Sequence, residues 1–148
     1  MLSKTCKYAV RAIIFIGLKG SEENRANARI IASELGIPMQ FLSKILQIFV
    51  RKGLLNSFKG PTGGFFLAKD PGDITLLDIV EIIDGPSVFE SCLIGTGPCQ
   101  SSTGKKERCP VHDRYSQIRK DVVDYFSSET IGGIIERMGH DENVLLKL

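Results

Sequence analysis

The chain has 148 residues, 43% of them hydrophobic, and its net charge of +2 is unevenly divided: residues 1–69 hold eleven Lys or Arg against three Glu, a net of +8, while residues 70–148 sum to −6. This length and apolar content suit one globular domain with a small appendage and exclude a large enzyme with a deep cleft. No apolar run approaches the ~18 residues that cross a bilayer, and residues 1–11 lack the apolar stretch and cleavage site of a signal peptide, so a cytoplasmic protein with no membrane partner is expected.

The segment from Thr5 to Lys19 carries Ala9, Val10, Ile13, Ile14, Ile16 and Leu18 at near-helical spacing, with Ser3 or Thr5 as cap and Gly20 as stop. It reads as a buried first helix. After a polar loop, Asn27 caps a short helix whose Ile30, Ile31 and Leu35 are expected to face inward and which ends at Gly36. Pro38 suits a first helical turn, so the next helix is placed at Pro38 to Lys52, with Leu42, Ile45, Leu46 and Phe49 on one face and Gly53 as stop. Two short helices joined by a tight glycine-containing turn form a helix-turn-helix. Leu54 to Lys59 and Phe65 to Lys69 read as strands around Gly60-Pro61-Thr62-Gly63-Gly64, which completes a winged helix.

Thr75, with Asp78 three residues on, caps a further apolar helix that Gly85-Pro86 ends. Ser87 to Val111 has no periodicity and three cysteines, and reads as a long loop that needs something to hold it. Helical period returns from Asp113 to Phe126, with Tyr115, Ile118, Val122 and Tyr125 in one stripe. Such a helix has little of its own domain to pack on, so a partner subunit is a natural acceptor; docking on its own chain is the alternative. A short helix from Thr130 to Met138 precedes what reads as a ragged tail. The fold class is therefore mostly α with a small β-hairpin wing, in three segments. These are a DNA-binding domain (1–86), a cysteine-containing loop (87–112), and a dimerisation helix with its tail (113–148).

A basic half joined to an acidic half suits a protein of which one face meets phosphates. In a helix-turn-helix the start of the second helix reaches base edges in the major groove. Its outward residues here are Met39, Gln40, Ser43 and Lys44. Gln40 can pair with adenine, Lys44 can donate to guanine or phosphate, and Ser43 can serve either. At the wing, Lys59 stands beside Gly60, Thr62 and Gly63, where a bare backbone can approach phosphate closely. A plain β-turn accounts for the glycines but not for Lys59. Arg25, Arg29 and Lys4 are further candidates for backbone contact.

Cys92, Cys99 and Cys109 are spaced C-x6-C-x9-C, and His112 follows the last by three residues. Structural zinc sites draw on tight C-x2-C knuckles, absent here, so spacing favours zinc little. A metal site, redox thiols and unligated cysteines all remain open on chemistry alone; three thiols on a loop can wrap an iron-sulfur cluster.

The run GLLNSFKGPTGGFFLAKDPGDITLLDIVEIIDG, from Gly53 to Gly85, together with YAVRA from Tyr8 to Ala12, resembles the Rrf2 family of bacterial winged-helix transcription regulators over nearly the whole chain. The resemblance implies a homodimer on a pseudo-palindromic operator in double-stranded DNA, joined through the helix after the cysteine loop. It also implies an iron-sulfur cluster on Cys92, Cys99, Cys109 and His112, with a two-iron form favoured over a four-iron one. The gap between the second and third cysteines is longer than in histidine-bearing relatives. In some relatives an aspartate of the first helix completes the cluster; no acidic residue stands between Met1 and Leu18 here, and Cys6 lies near that place as an alternative to His112. The function implied is a DNA-binding regulator whose operator affinity is set by a cluster sensing iron-sulfur status, redox state or nitric oxide. The alternatives are a cluster-free thiol- or partner-controlled repressor and an electron-transfer iron-sulfur protein. Without a nucleotide loop or nucleophile elbow, and with only His112 and His140 as histidines, no enzyme is expected.

Overall fold

The computed structural model describes residues 2–97 and 110–148. The first helix, α1 (Lys4–Lys19), starts at Ser3, whose extended backbone lets its hydroxyl accept from the Cys6 N–H at 3.0 Å. Ala9, Ala12, Ile13 and Ile16 are fully buried, and the small alanines let neighbours close in on both sides. Helices from both ends of the chain pack on α1.

Asn27 caps α2 (Ala28–Leu35), its Oδ1 accepting from the Arg29 N–H at 2.8 Å. The helix ends at Gly36, whose φ of 61° lets the Ile37 N–H donate back to the Ala32 carbonyl at 3.0 Å. That reversal feeds α3 (Met39–Arg51), which buries Leu42, Ile45, Leu46 and Phe49 as its spacing requires. Two expectations need correction. Ile30 is 56% exposed, because a two-turn helix buries only the stripe of Ile31 and Leu35, and Ile30 lies about 100° around from Ile31. Pro38, with ψ at 130°, is the N-cap of α3 and not its first helical residue.

The wing is the antiparallel pair β1 (Leu55–Phe58) and β2 (Gly64–Leu67), in register from Leu55 opposite Leu67 to Phe58 opposite Gly64. Ala26 adds a one-residue bridge on the other side of β2: its N–H donates to the Phe65 carbonyl at 2.8 Å and the Phe65 N–H donates back at 2.9 Å. The hairpin is thereby tied to the segment that enters α2.

A 3-10 turn (Pro71–Asp73) leads to α4 (Leu76–Ile83), which opens on a complete capping box between Thr75 and Asp78. Within the stretch expected to be irregular, Ser87–Glu90 forms a short helix, α5. Beyond the undescribed residues come α6 (His112–Ser128), α7 (Ile131–Arg137) and α8 (Glu142–Leu146). The expected ragged tail is therefore helical: Asp141 caps α8 by accepting from the Asn143 N–H at 2.9 Å, and Leu145 is fully buried. Ile131, Ile135 and Leu145 join the core that α1 builds, each adding about 1.5–3 kcal/mol of apolar burial. An ion pair from Lys19 to Glu142 pins α8 to the end of α1. The result is the mostly helical winged helix expected, and no helix among the described residues is long and apolar enough to cross a membrane.

Helix α6 is the exception to this packing. It touches α4, it meets α5 through an edge-on contact of Phe89 with Phe126 at 5.4 Å, and Arg119 donates to the Glu90 carbonyl at 3.3 Å. None of its seventeen residues is buried.

Candidate nucleic-acid interface

Because α3 commits one face to the core, the opposite face is free. Gln40, Lys44, Gln47 and Arg51 recur at helical spacing along it and all four are exposed. Of the residues expected from sequence, Met39, Gln40 and Lys44 are exposed and Ser43 is half-buried on the flank. Gln47 extends the stripe by one turn and was not singled out from sequence, although its spacing from Gln40 and Lys44 would have found it. Phe41, 46% exposed, was also missed; it flanks the stripe.

In the wing, Lys59, Gly60 and Thr62 are exposed at the hairpin tip. The two tip glycines do different work. Gly60 has φ of 104° with open space around its α-carbon, so a glycine serves the backbone conformation there. At Gly63 a Cβ would fall 2.4 Å from the Phe58 carbonyl oxygen, so that glycine is needed to close the turn, which the Gly63 N–H seals by donating to the Gly60 carbonyl at 2.9 Å.

A feature not visible in the sequence lies at the tip end of the hairpin. The Arg25 guanidinium sits 4.0 Å from the centroid of the Phe58 ring, and that ring stacks on Phe66 at 5.9 Å with 19° between planes.

Of the four candidate cluster ligands, Cys99 and Cys109 lie outside the described residues. Cys92 is half-buried just after α5, and its Sγ accepts the Gly95 N–H at 3.2 Å. His112 is the first residue of α6. No group of three or more His, Cys, Asp or Glu placed to hold a metal is found among the described residues. Cys6 is fully buried, and burial, with the Asp84 carboxylate nearby, pushes its thiol up to about 12. It is a neutral core thiol, the small buried role, and its surroundings disfavour the thiolate that ligation needs.

Residues 2–137 match the Rrf2 family, described as iron-dependent transcriptional regulators. The chain belongs to the Rrf2 family. An HTH-type transcriptional regulator of Aquifex aeolicus is 31% identical over 135 residues, covering 91% of each chain. The regulator IscR of Klebsiella pneumoniae is 26% identical over 134 residues, 90% of this chain and 78% of that one. Among solved structures, CymR, the global cysteine regulator of B. subtilis, superposes with a TM-score of 0.77 at 20% identity, covering 93% of this chain and 97% of that one. IscR of T. potens gives 0.73 at 20%, covering 93% and 88%. At that identity the two structures speak for the winged-helix fold. This Rrf2 protein is a DNA-binding transcriptional regulator, not an enzyme.

Proposed function

We propose that this Rrf2 regulator acts as a homodimer, reads a pseudo-palindromic operator with α3 and the wing of each subunit, and is controlled by an iron-sulfur cluster at the cysteine loop. The observation that carries the dimer is α6: seventeen residues with none buried, and Ile118, Val122 and Tyr125 exposed at 58%, 39% and 56% along one stripe. A second copy presenting the same stripe covers both, and two-fold symmetry sets the two α3 helices toward successive major grooves. Gln40, Ser43 and Met39 then face base edges, while Lys44, Lys59 and the tip backbone at Gly60, Thr62 and Gly63 meet bases or phosphates.

The donor set fits a cluster, since three thiols and an imidazole are ligands iron accepts. Of the described pair, Cys92 already accepts a backbone N–H on sulfur, the kind of hydrogen bond that tunes cluster thiolates. When bound, a cluster supplies a redox-sensitive and nitric-oxide-sensitive link between the loop and α6, in the two-iron form by preference and with a four-iron form as the alternative. His112, in the first turn of α6, would be the ligand on that helix, and α4 packs on α6 as well as on α1 and α3. A shift of α6 therefore reaches α3, and a small change in the spacing of two α3 helices weakens a site that must satisfy both.

The test is to purify the protein without oxygen, count iron and sulfide, and compare operator affinity at matched salt before and after cluster removal. Bound iron with affinity changed several-fold is expected. Equal affinities would overturn cluster control, and protein purified without oxygen but free of iron would favour a thiol- or partner-controlled regulator.

A further inference from the structure

Resting on the assignment of α3 and the wing as the DNA-reading surface, we propose that Arg25 is a DNA-phosphate clamp, held in place by the ring of Phe58.

Arg25 precedes Ala26, the residue bridged to Phe65, so its backbone is fixed alongside β2. To reach Phe58 on β1 its side chain crosses the hairpin at Gly64, the register partner of Phe58. That crossing depends on the missing side chain: a Cβ on Gly64 would lie 3.0 Å from the Arg25 Cβ and 2.7 Å from the Ala26 carbonyl oxygen. On the far side the guanidinium lies over a ring that is itself supported by Phe66 and is 46% exposed. Three separate features of the wing, the Ala26 bridge, the bare Gly64 and the Phe58–Phe66 stack, thus hold one cation beside Lys59, where the tip begins.

Among the described residues no direct ion pair answers the charge of Arg25, and its Nε is buried with no hydrogen-bond partner, although Glu34 and Glu142 line a hollow that Arg25 also lines. Lys19 and Arg137, by contrast, are paired with Glu142 and Glu129. With its Cζ over the ring and its Nε buried, the guanidinium has its terminal Nη groups for a bidentate acceptor, and phosphate is the acceptor that a wing entering DNA brings. Lysine at this position would keep the charge but lose the flat fork.

The experiment measures the dissociation constant across a range of salt for wild type, Arg25→Gln, Arg25→Lys, Phe58→Leu and Lys59→Ala. The probe is a duplex selected by the wild-type protein from a random-sequence pool, and thermal melting confirms that each variant folds. Arg25→Gln is expected to weaken binding about ten-fold and to shallow the salt slope by about 0.9 for each phosphate no longer neutralised. Arg25→Lys and Phe58→Leu are expected to weaken binding while keeping the slope, since the charge stays and only its placement is lost. If Arg25→Gln lowers affinity with an unchanged slope, Arg25 merely braces the wing and the clamp is overturned. Unchanged affinity in both Arg25→Lys and Phe58→Leu would also overturn it. A slope change with Lys59→Ala but not with Arg25→Gln sinks the clamp alone, whereas no change with either removes the wing from the DNA surface, and the clamp falls with it.

Discussion

Ser3 holds Asp84 by two hydrogen bonds, its backbone N–H donating to Oδ2 at 2.8 Å and its hydroxyl to Oδ1 at 2.5 Å, across 81 residues of chain. Asp84 is the C-cap of α4, where the helix's own carbonyls repel a carboxylate, and the N-terminus of α1 offsets that repulsion. The same hydroxyl caps α1 by accepting from Cys6. Ser3→Ala removes the cap and the hydroxyl half of the clasp, leaving the backbone N–H bond to Asp84, and is expected to cost about 1–2 kcal/mol, a fall in Tm of roughly 2–8 °C by thermal unfolding.

Gly64→Ala drives a methyl group to within 2.7 Å of the Ala26 carbonyl oxygen, part of the two-bond bridge to Phe65. Backbone on one side leaves no room to yield, so the tip end of the hairpin must shift, at about 1–3 kcal/mol. Far-ultraviolet circular dichroism should keep its helical signal while DNA affinity drops, because the helices do not rest on that contact.

Ile118→Asp or Val122→Asp places a charge on the exposed stripe of α6. As neither side chain is buried in the subunit, its helical content should be retained. Sedimentation is expected to report a dimer for the wild type and a monomer for either variant, with a matching loss of operator affinity. A dimer unchanged by either substitution would move the interface off α6.

The thiol of Cys6 is held at about 12 against an ordinary value of 9.0. An acid whose value is raised by folding stabilises the native state below the unfolded value, and that contribution is lost as pH climbs from about 9 toward 12. Cys6→Ala should flatten this alkaline loss in denaturant titrations. In the wild type at neutral pH, an alkylating reagent should reach Cys6 only after the chain unfolds, which mass spectrometry of the labelled protein can follow.

Substitutions on α3 should separate reading from anchoring. Gln40→Ala is expected to cost about 1–3 kcal/mol on the selected duplex and to relax base preference at one position of each half-site. Lys44→Ala is expected either to do the same at a guanine or, as a phosphate contact, to weaken all sequences alike and shallow the salt slope; competition between related duplexes distinguishes the two.

Much of this was written locally. The apolar period of Leu42, Ile45, Leu46 and Phe49, the left-handed Gly36 and the Thr75–Asp78 box each act within a few residues, so spacing alone placed α3, its turn and α4. The exposed face of α3 follows from the same period. Spacing alone left Cys92, Cys99 and Cys109 open between a metal site, redox thiols and unligated cysteines, and the ligand set with His112 came from the family resemblance. Tertiary structure decided what depends on residues far apart in the chain. Ile30 faces solvent since a short helix buries one narrow stripe, and residues 142–146 are ordered as α8 since Leu145 finds a place in the α1 core. Cys6 stays protonated beyond the ordinary thiol range because of burial, with a smaller contribution from Asp84. Arg25 sits over Phe58 only because the Ala26–Phe65 bridge and the bare Gly64 bring loop and hairpin together. Local patterns encode backbone hydrogen bonds a turn apart; which cation meets which ring is set by packing, where sequence distance carries no information.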